Sequence, residues 1–277
     1  MVSTSGGSLY VVSTPIGNLR DITLRAIDVL RSVDLVLAED TRHSRHLLEV
    51  HGIETPMLSY HEHNEARATE AAMARLREGR DVALISDAGT PLVSDPGARL
   101  VRAAAEAGIP VVPIPGPSAL LAALVSSAVS SDRFTFFGFL ARKGREREDA
   151  LRELSSLGHT AVLYEAPNRV AATLAELAEH GSGDRHVVVA RELTKQFEEI
   201  RRGTVAALAA YYDGSPPRGE VVIVLEGLAR QPVAEDALRS HARSLRDAGL
   251  SARDVAAVLV REDGASRNLA YRIAHEA

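Results

Sequence analysis

Four short segments of this chain combine residue types that can do chemistry, and each follows directly on an apolar run. In Ser86-Asp-Ala-Gly-Thr-Pro91 a carboxylate comes straight after Val82 to Ile85. It can accept hydrogen bonds from a ribose hydroxyl or an amino group, and Gly89 permits close backbone approach; alternatively Asp87 closes an Asx-turn on its own backbone. Pro113-Ile-Pro-Gly-Pro-Ser-Ala119 precedes an apolar helix. Ser118 can cap that helix, and the free N–H groups there suit a carboxylate; capping alone is the plainer reading. Ser13-Thr-Pro-Ile-Gly-Asn-Leu19 is a Gly/Pro-shaped turn that brings backbone to a ligand or merely links a strand to a helix. Ala38-Glu-Asp-Thr-Arg42 sets two acids and an arginine at a strand end, as a reactive cluster or a surface turn.

Some chemistries are excluded by pattern. The first turn is neither G-x-G-x-x-G nor G-x-x-x-x-G-K-[ST], so it carries neither a dinucleotide fingerprint nor a P-loop. With no cysteine there is no disulfide, thiolate metal site or Cys nucleophile, which fits a reducing compartment. His46, His61 and His63 lack helix-face metal spacing, so no metal is expected.

These segments need a frame that gathers strand ends. Strands are expected at Leu9–Ser13, Asp34–Ala38, Met57–Tyr60, Asp81–Ser86 and Pro110–Ile114. Helices are expected at Thr23–Val33, at Ala66–Glu78 stopped by Gly79, and from Asp95-Pro96, with Asp95 as cap, to near Gly108. Alternation of this kind gives a mostly parallel sheet covered on both faces, whose ligands bind beyond the carboxyl ends of the strands. A second unit reads as strand Phe134–Phe139, helix Glu146–Leu157, strand Thr160–Glu165, helix Pro167–His180 closed by Gly181, and strands His186–Glu192, Phe197–Gly203 and Glu220–Glu226. Gly227–Ala234 reads as a linker, and helices follow at Glu235–Asp247, Ala252–Glu262 and Arg267–His275, the last two capped by Ser251 and Ser266.

The 277 residues suffice for about two domains, and 45% hydrophobic with 25% charged residues is ordinary for a globular chain. Met1 to Ser8 lacks the pattern of a signal peptide, and no apolar run reaches the roughly 18 residues of a membrane span, so a cytoplasmic, membrane-free protein is expected. The net charge of −5 excludes a general polycation; a nucleic-acid partner needs a local basic surface.

Read in order, Ser-Thr-Pro-Ile-Gly-Asn-Leu (13–19), Ala-Glu-Asp-Thr-Arg (38–42), Ser-Asp-Ala-Gly-Thr-Pro (86–91), Pro-Gly-Pro-Ser-Ala (115–119), Tyr-Glu-Ala-Pro-Asn-Arg (164–169) and Arg-Glu-Leu-Thr-Lys (191–195) resemble the ribosomal small-subunit RNA cytidine 2′-O-methyltransferases of the tetrapyrrole methylase superfamily. The resemblance runs from about Leu9 to Glu226. It implies a two-domain α/β fold with a mostly parallel N-terminal sheet (1–117), a mixed C-terminal sheet (118–227) and a helical, helix-turn-helix-like extension (234–277). It also implies a homodimer acting on small-subunit rRNA or the assembled small ribosomal subunit, and S-adenosyl-L-methionine bound between the domains. By position the cofactor touches Pro15, Ile16, Asp87, Ala88, Gly89, Thr90, Pro91, Ser118 and Ala119, and from the second domain Tyr164, Glu165, Ala166, Glu192 and Glu220. Where the family often has His after Ala-Pro, this chain has Asn168, so no catalytic role carries over to it.

Methyl transfer from a sulfonium is an in-line displacement, so the protein mainly aligns the reactants. A ribose hydroxyl holds its proton at neutral pH and benefits from a base. Asp40 or Glu39 is the expected base, with Arg42, Arg169 and Lys195 holding phosphate or the developing alkoxide. RNA contact is expected from the basic loop Arg142-Lys143-Gly-Arg145-Glu-Arg147, which could equally be a solvated helix start. The helical tail balances seven acids against seven arginines and is no cationic arm; it docks on structured RNA or packs against a partner subunit. Two rivals remain: a methyltransferase acting on a tetrapyrrole, and a non-catalytic RNA-binding module.

Overall fold

The computed structural model describes residues 7–228 and 234–277. Most of the expected linker and the first six residues lie outside the described residues. The chain divides into two compact units, Met1–Gly227 and Leu228–Ala277.

The first sheet holds β1 (Leu9–Val12), β2 (Leu35–Ala38), β3 (Met57–Ser59), β4 (Val82–Ile85) and β5 (Val111–Ile114), in the order β3-β2-β4-β1-β5 and parallel throughout. Its strands are short apolar runs because both faces are covered. Side chains alternate between faces, so Leu35 and Leu37 enter one core while Val36 and Ala38 enter the other. The first core is closed by α3 (Glu65–Arg77) and α4 (Ala98–Glu106), through Ala72, Leu76 and Leu100. The second is closed by α1 (Leu24–Ser32) and α2 (Thr41–Val50), through Leu30, Leu47 and Leu48.

After α5 (Ala119–Ser126) comes a mixed sheet of β6 (Phe134–Phe139), β7 (Thr160–Glu165), β8 (His186–Arg191), β9 (Glu199–Thr204) and β10 (Val221–Leu225), in the order β6-β7-β10-β8-β9. Only β6 and β7 pair in parallel. One face is covered by α6 (Arg145–Ser156), α7 (Val170–Leu177) and α8 (Val205–Asp213). The other face, with Val188, Val222 and Val224, packs on Ala123 and Leu124 of α5 and on Ile16 from the first half. That shared apolar cluster fixes how the strand ends of the first sheet meet the second.

The second unit is a three-helix cluster of α9 (Glu235–Asp247), α10 (Ala252–Arg261) and α11 (Arg267–Glu276) around Leu238, Val255, Leu259 and Ile273. Ser251 and Ser266 cap α10 and α11 by accepting the N–H groups of Asp254 and Leu269.

Three expectations are corrected. Residues 41–50 form a helix that begins inside the 38–42 segment read as a reactive cluster or a surface turn, and 205–213 form another where none was foreseen. The cap of α4 is Gly97, at φ +133°, and not Asp95. A Cβ at position 97 would meet Leu84 Cδ2 at 2.7 Å, so the backbone enters this helix by a path that leaves the Asp95 carboxylate free of capping.

Candidate active site

The turns after β1, β4 and β5 are tied to one another. Thr14 and Gly89 exchange two backbone hydrogen bonds, Thr14 N–H donating to Gly89 O at 2.8 Å and Gly89 N–H to Thr14 O at 3.0 Å. The Thr14 hydroxyl donates to Ser86 O at 3.0 Å, and the Thr90 hydroxyl to Pro117 O at 3.3 Å. Gly89 sits at φ +83°, a backbone conformation that glycine adopts without steric cost. Ser118 caps α5, its hydroxyl accepting the Leu121 N–H. The turn after β2 joins them, since Asp40 N–H donates to Asp87 Oδ1 at 2.9 Å.

The turns after β1, β4 and β5 form one wall of a cavity of about 340 Å3, within the roughly 300–1,000 Å3 range of small-molecule sites. Ile16, residues 88–90 and 93–95, Ser118 and Ala119 line it from the first side; Phe139, residues 164–167 and residues 219–222 line it from the second. The walls are mainly apolar, with Thr90, Ser118, Asp95 and Glu220 among the polar residues that line it.

Of the residues expected to touch a cofactor, Ile16, Ala88, Gly89, Thr90, Ser118, Ala119, Tyr164, Glu165, Ala166 and Glu220 line the cavity. Pro15, Asp87, Pro91 and Glu192 are absent from its lining. Glu192 acts one step back: its Oε1 accepts the Glu220 N–H at 3.1 Å and so sets the 219–222 segment. The Glu165 carboxylate turns away into the fold, taking the Ala166 N–H at 2.8 Å and the Thr173 hydroxyl at 2.6 Å. The cavity also recruits residues the sequence did not mark. Phe139 could have been noticed as an aromatic at a strand end in a chain with 4% aromatics. Val93 and Ser94 carried no signal and Asp95 only that of a helix cap, because Leu92 and Ser94 take positive φ values that only the folded loop reveals.

The expected catalytic and RNA-binding cations fare differently. Asp40 caps α2, accepting the Arg42 N–H at 2.8 Å, and its two oxygens grip the Arg42 guanidinium at 3.1 and 2.8 Å. Hydrogen bonds from Arg42 hold the Asp40 carboxyl well below the usual carboxylate range, which makes it a poor proton acceptor. Burial, then the charges of Asp95 and Asp87, push Glu39 up, yet it is absent from the cavity lining.

Arg147 is corrected from RNA contact to core: it is buried, its guanidinium meeting Glu176 at 2.7 Å, the Thr173 hydroxyl at 2.9 Å and Ala141 O at 3.2 Å. Arg169 donates to Leu140 O and Ala141 O, both at 3.1 Å, and so ties the chain before α6 to that before α7. Lys195 Nζ lies between Glu192 at 2.9 Å and Glu220 at 3.1 Å, with its stem against Gly17. It bridges the two walls instead of presenting a free cation. Arg142, Lys143 and Arg145 remain exposed.

A mostly apolar cavity at the strand ends of an all-parallel sheet, closed by a mixed sheet, defines a tetrapyrrole-methylase fold. Solved structures share it: uroporphyrin-III C-methyltransferase from Thermus thermophilus complexed with S-adenyl homocysteine (TM-score 0.59, 19% identity, 79% of this chain and 97% of that one) and cobalt precorrin-4 methyltransferase (TM-score 0.59, 22% identity, 79% and 94%). Residues 8–209 match the family described as Tetrapyrrole (Corrin/Porphyrin) Methylases, to which the chain belongs. Within it, the chain is 45% identical over 273 residues to "Ribosomal RNA small subunit methyltransferase I" of Synechocystis, covering 98% of both chains. It is 44% identical over 276 residues to the protein of the same name from Escherichia coli O157:H7, covering 98% of this chain and 96% of that one.

Proposed function

We propose that this chain transfers a methyl group from S-adenosyl-L-methionine to the 2′-oxygen of a cytidine ribose in small-subunit rRNA. The observation that carries the reading is the convergence of the turns after β1, β4 and β5 on one cavity, in a chain 44–45% identical over almost its whole length to rRNA small subunit methyltransferases. The cavity residues suit such a cofactor. The N-terminal turn of α5, opened by Ser118, can receive the amino-acid carboxylate. Ile16, Val221 and Val222 offer apolar surface to an adenine, and Asp95 brings negative charge toward a cation. The cofactor supplies a methyl group already activated on a positive sulfur; the protein aligns, excludes water and handles one proton.

The test incubates the protein and methyl-labelled cofactor with small subunits, naked small-subunit RNA or a precorrin, then digests the RNA in alkali. Label in an alkali-resistant dinucleotide beginning with cytidine is expected. Label on a base, or on the tetrapyrrole alone, overturns the reading. The same reading puts the enzyme in the cytoplasm with its ribosomal substrate and makes it a homodimer. The outer face of α5, where Leu121 and Val125 are exposed, suits the contact, and sedimentation of wild type against Val125→Glu checks it.

RNA contact follows from the exposed Arg142, Lys143 and Arg145, which come just after Phe139 at the cavity. Replacing all three by alanine is expected to weaken RNA binding and to flatten the dependence of log K on log salt by roughly two units, about 0.7–0.9 per phosphate contact. Cofactor affinity, measured by calorimetry, should not move. An unchanged salt slope would remove this loop from the interface.

A further inference from the structure

Three carboxylates gather at the carboxyl ends of β2 and β4: Glu39, Asp87 and Asp95. They differ in what they can reach. Asp87, whose Oδ1 accepts the Asp40 N–H, and Glu39 are both absent from the cavity lining; of the three, only Asp95 lines it. The loop that presents Asp95 is held in an unusual path, with Leu92 at φ +72° and Ser94 at φ +67° before it and Gly97 at φ +133° after it. Non-glycine residues in this region cost on the order of 1–3 kcal/mol each and persist where the surroundings over-determine them. Here Gly97 N–H donates to Glu65 Oε1 at 3.3 Å, and the Ser94 hydroxyl lies against Gly138, where an added Cβ would sit 3.2 Å away.

That last contact sets the loop beside the end of β6. Phe139, the next residue, is 58% exposed and lines the same cavity. Its ring is braced at 5.4 Å by Tyr164, leaving the rest of it to solvent. An exposed, braced aromatic followed within a few residues by Arg142, Lys143 and Arg145 is the arrangement that holds an unstacked nucleobase above a bound backbone.

We propose that Asp95 is the catalytic base, taking the hydroxyl proton of a nucleoside whose base stacks on Phe139. The inference rests on the hydroxyl-methylation reading above. The oxygen–methyl bond forms while the sulfur–methyl bond breaks with its electron pair left on sulfur, and the hydroxyl proton passes to the Asp95 carboxylate. A sulfonium and a carboxylate thus become a neutral thioether and a neutral carboxylic acid, so charge is annihilated inside a mostly apolar cavity.

The surroundings poise Asp95 for this role. Burial, joined by the Asp87 charge and opposed by a hydrogen bond from Ser86, pushes its carboxyl up to about 6. Glu39 faces the cluster from the end of β2, Tyr164 faces it from β7 with the Glu220 charge beyond, and Glu65 holds the following turn from α3. The base must be ionised, so kcat/KM is expected to fall about tenfold per pH unit below about 6. A bound cation opposes protonation, so the corresponding limb in kcat moves to lower pH.

The experiment compares wild type, Asp95→Asn, Asp95→Glu and Phe139→Ala in single-turnover methylation across pH, with S-adenosylhomocysteine binding by calorimetry as the measure of an intact site. Asp95→Asn is expected to lose 10²–10⁴ in rate and the acid limb, with product affinity within threefold of wild type; Asp95→Glu recovers part of both. Phe139→Ala is expected to weaken RNA binding about tenfold with a smaller effect on the saturated rate. An acid limb retained in Asp95→Asn overturns the proposal. So does a variant that loses affinity for the sulfonium but not for the thioether and is fast at saturation, because Asp95 is then only a charge partner. Alkali-stable label in wild type with an unaffected Asp95→Asn rejects this assignment alone, whereas label on a base rejects the parent reading.

Discussion

Gly89→Val is expected to abolish measurable cofactor binding while the chain stays folded. A side chain at φ +83° is strained by on the order of 1–3 kcal/mol. The added Cβ would stand 3.4 Å from Ile16 Cγ2 and 3.8 Å from Pro117 O, already at contact distance. The two further methyl groups of valine must either enter the cavity or prise apart the paired Thr14–Gly89 backbone bonds that join two of its turns. Either outcome should raise the Kd for S-adenosylhomocysteine at least about 100-fold, equivalent to roughly 2.7 kcal/mol. Calorimetry gives the affinity, and an unchanged far-ultraviolet dichroism spectrum shows that the fold survives. Near-normal affinity in a folded variant would remove this cavity as the cofactor site.

Arg147→Ala is expected to be the most destabilising change to a residue that sequence marks as a surface cation. Its side chain is 8% exposed and belongs to a chain of hydrogen bonds running from Glu176 through Arg147 to Thr173 and on to Glu165, itself 1% exposed. Removing the guanidinium takes one donor each from the Thr173 hydroxyl, which keeps Glu165, and from Ala141 O, which keeps Arg169; Glu176, at 37% exposure, can rehydrate. The cost therefore falls near the low end of the range for a broken buried pair, about 3 kcal/mol, or roughly 10 °C in Tm. Adding Glu176→Gln to an Arg147→Met background should recover part of that loss, since replacing both partners is milder than orphaning one. A surface role would instead leave Tm unchanged and alter only salt-dependent RNA affinity.

The contrast between Arg147 and Arg145 shows what a sequence can and cannot say. Both stand in one basic hexapeptide, and residue type gives no hint that the helical turn carries one of them inward. The partner that decides it, Glu176, lies 29 positions away. The same holds for one of the two counter-charges of Lys195: Glu192 stands three residues away, but Glu220 comes from just before β10.

Local chemistry was legible wherever it acts over a few residues. The apolar run of the strand at Leu35–Ala38, the stop at Gly79 and the caps at Ser118, Ser251 and Ser266 are short-range effects of residue type, sterics and unsatisfied backbone groups, and they fall where expected. Helix α2 was missed because only Ser44, Leu47 and Leu48 are buried in its ten residues, too thin a stripe to register. The alanine-rich α8 follows β9 without a break, capped by Thr204, the strand's last residue.

By itself the sequence determined the alternation of strands and helices, and hence that the turns after β1, β4 and β5 fall at the same edge of a parallel sheet. Only the tertiary structure decided which side chains look into the space between the sheets. Strand order sets Asp87 beside Asp40 and brings Asp95 into the cavity lining, and the positive-φ path through Leu92 and Ser94 runs against Gly97 and Gly138, where no Cβ stands in the way. The reason is range: propensity and capping are settled within a turn of chain, whereas burial, charge pairing and the proton affinity of a carboxylate depend on atoms that sequence separates and packing brings together.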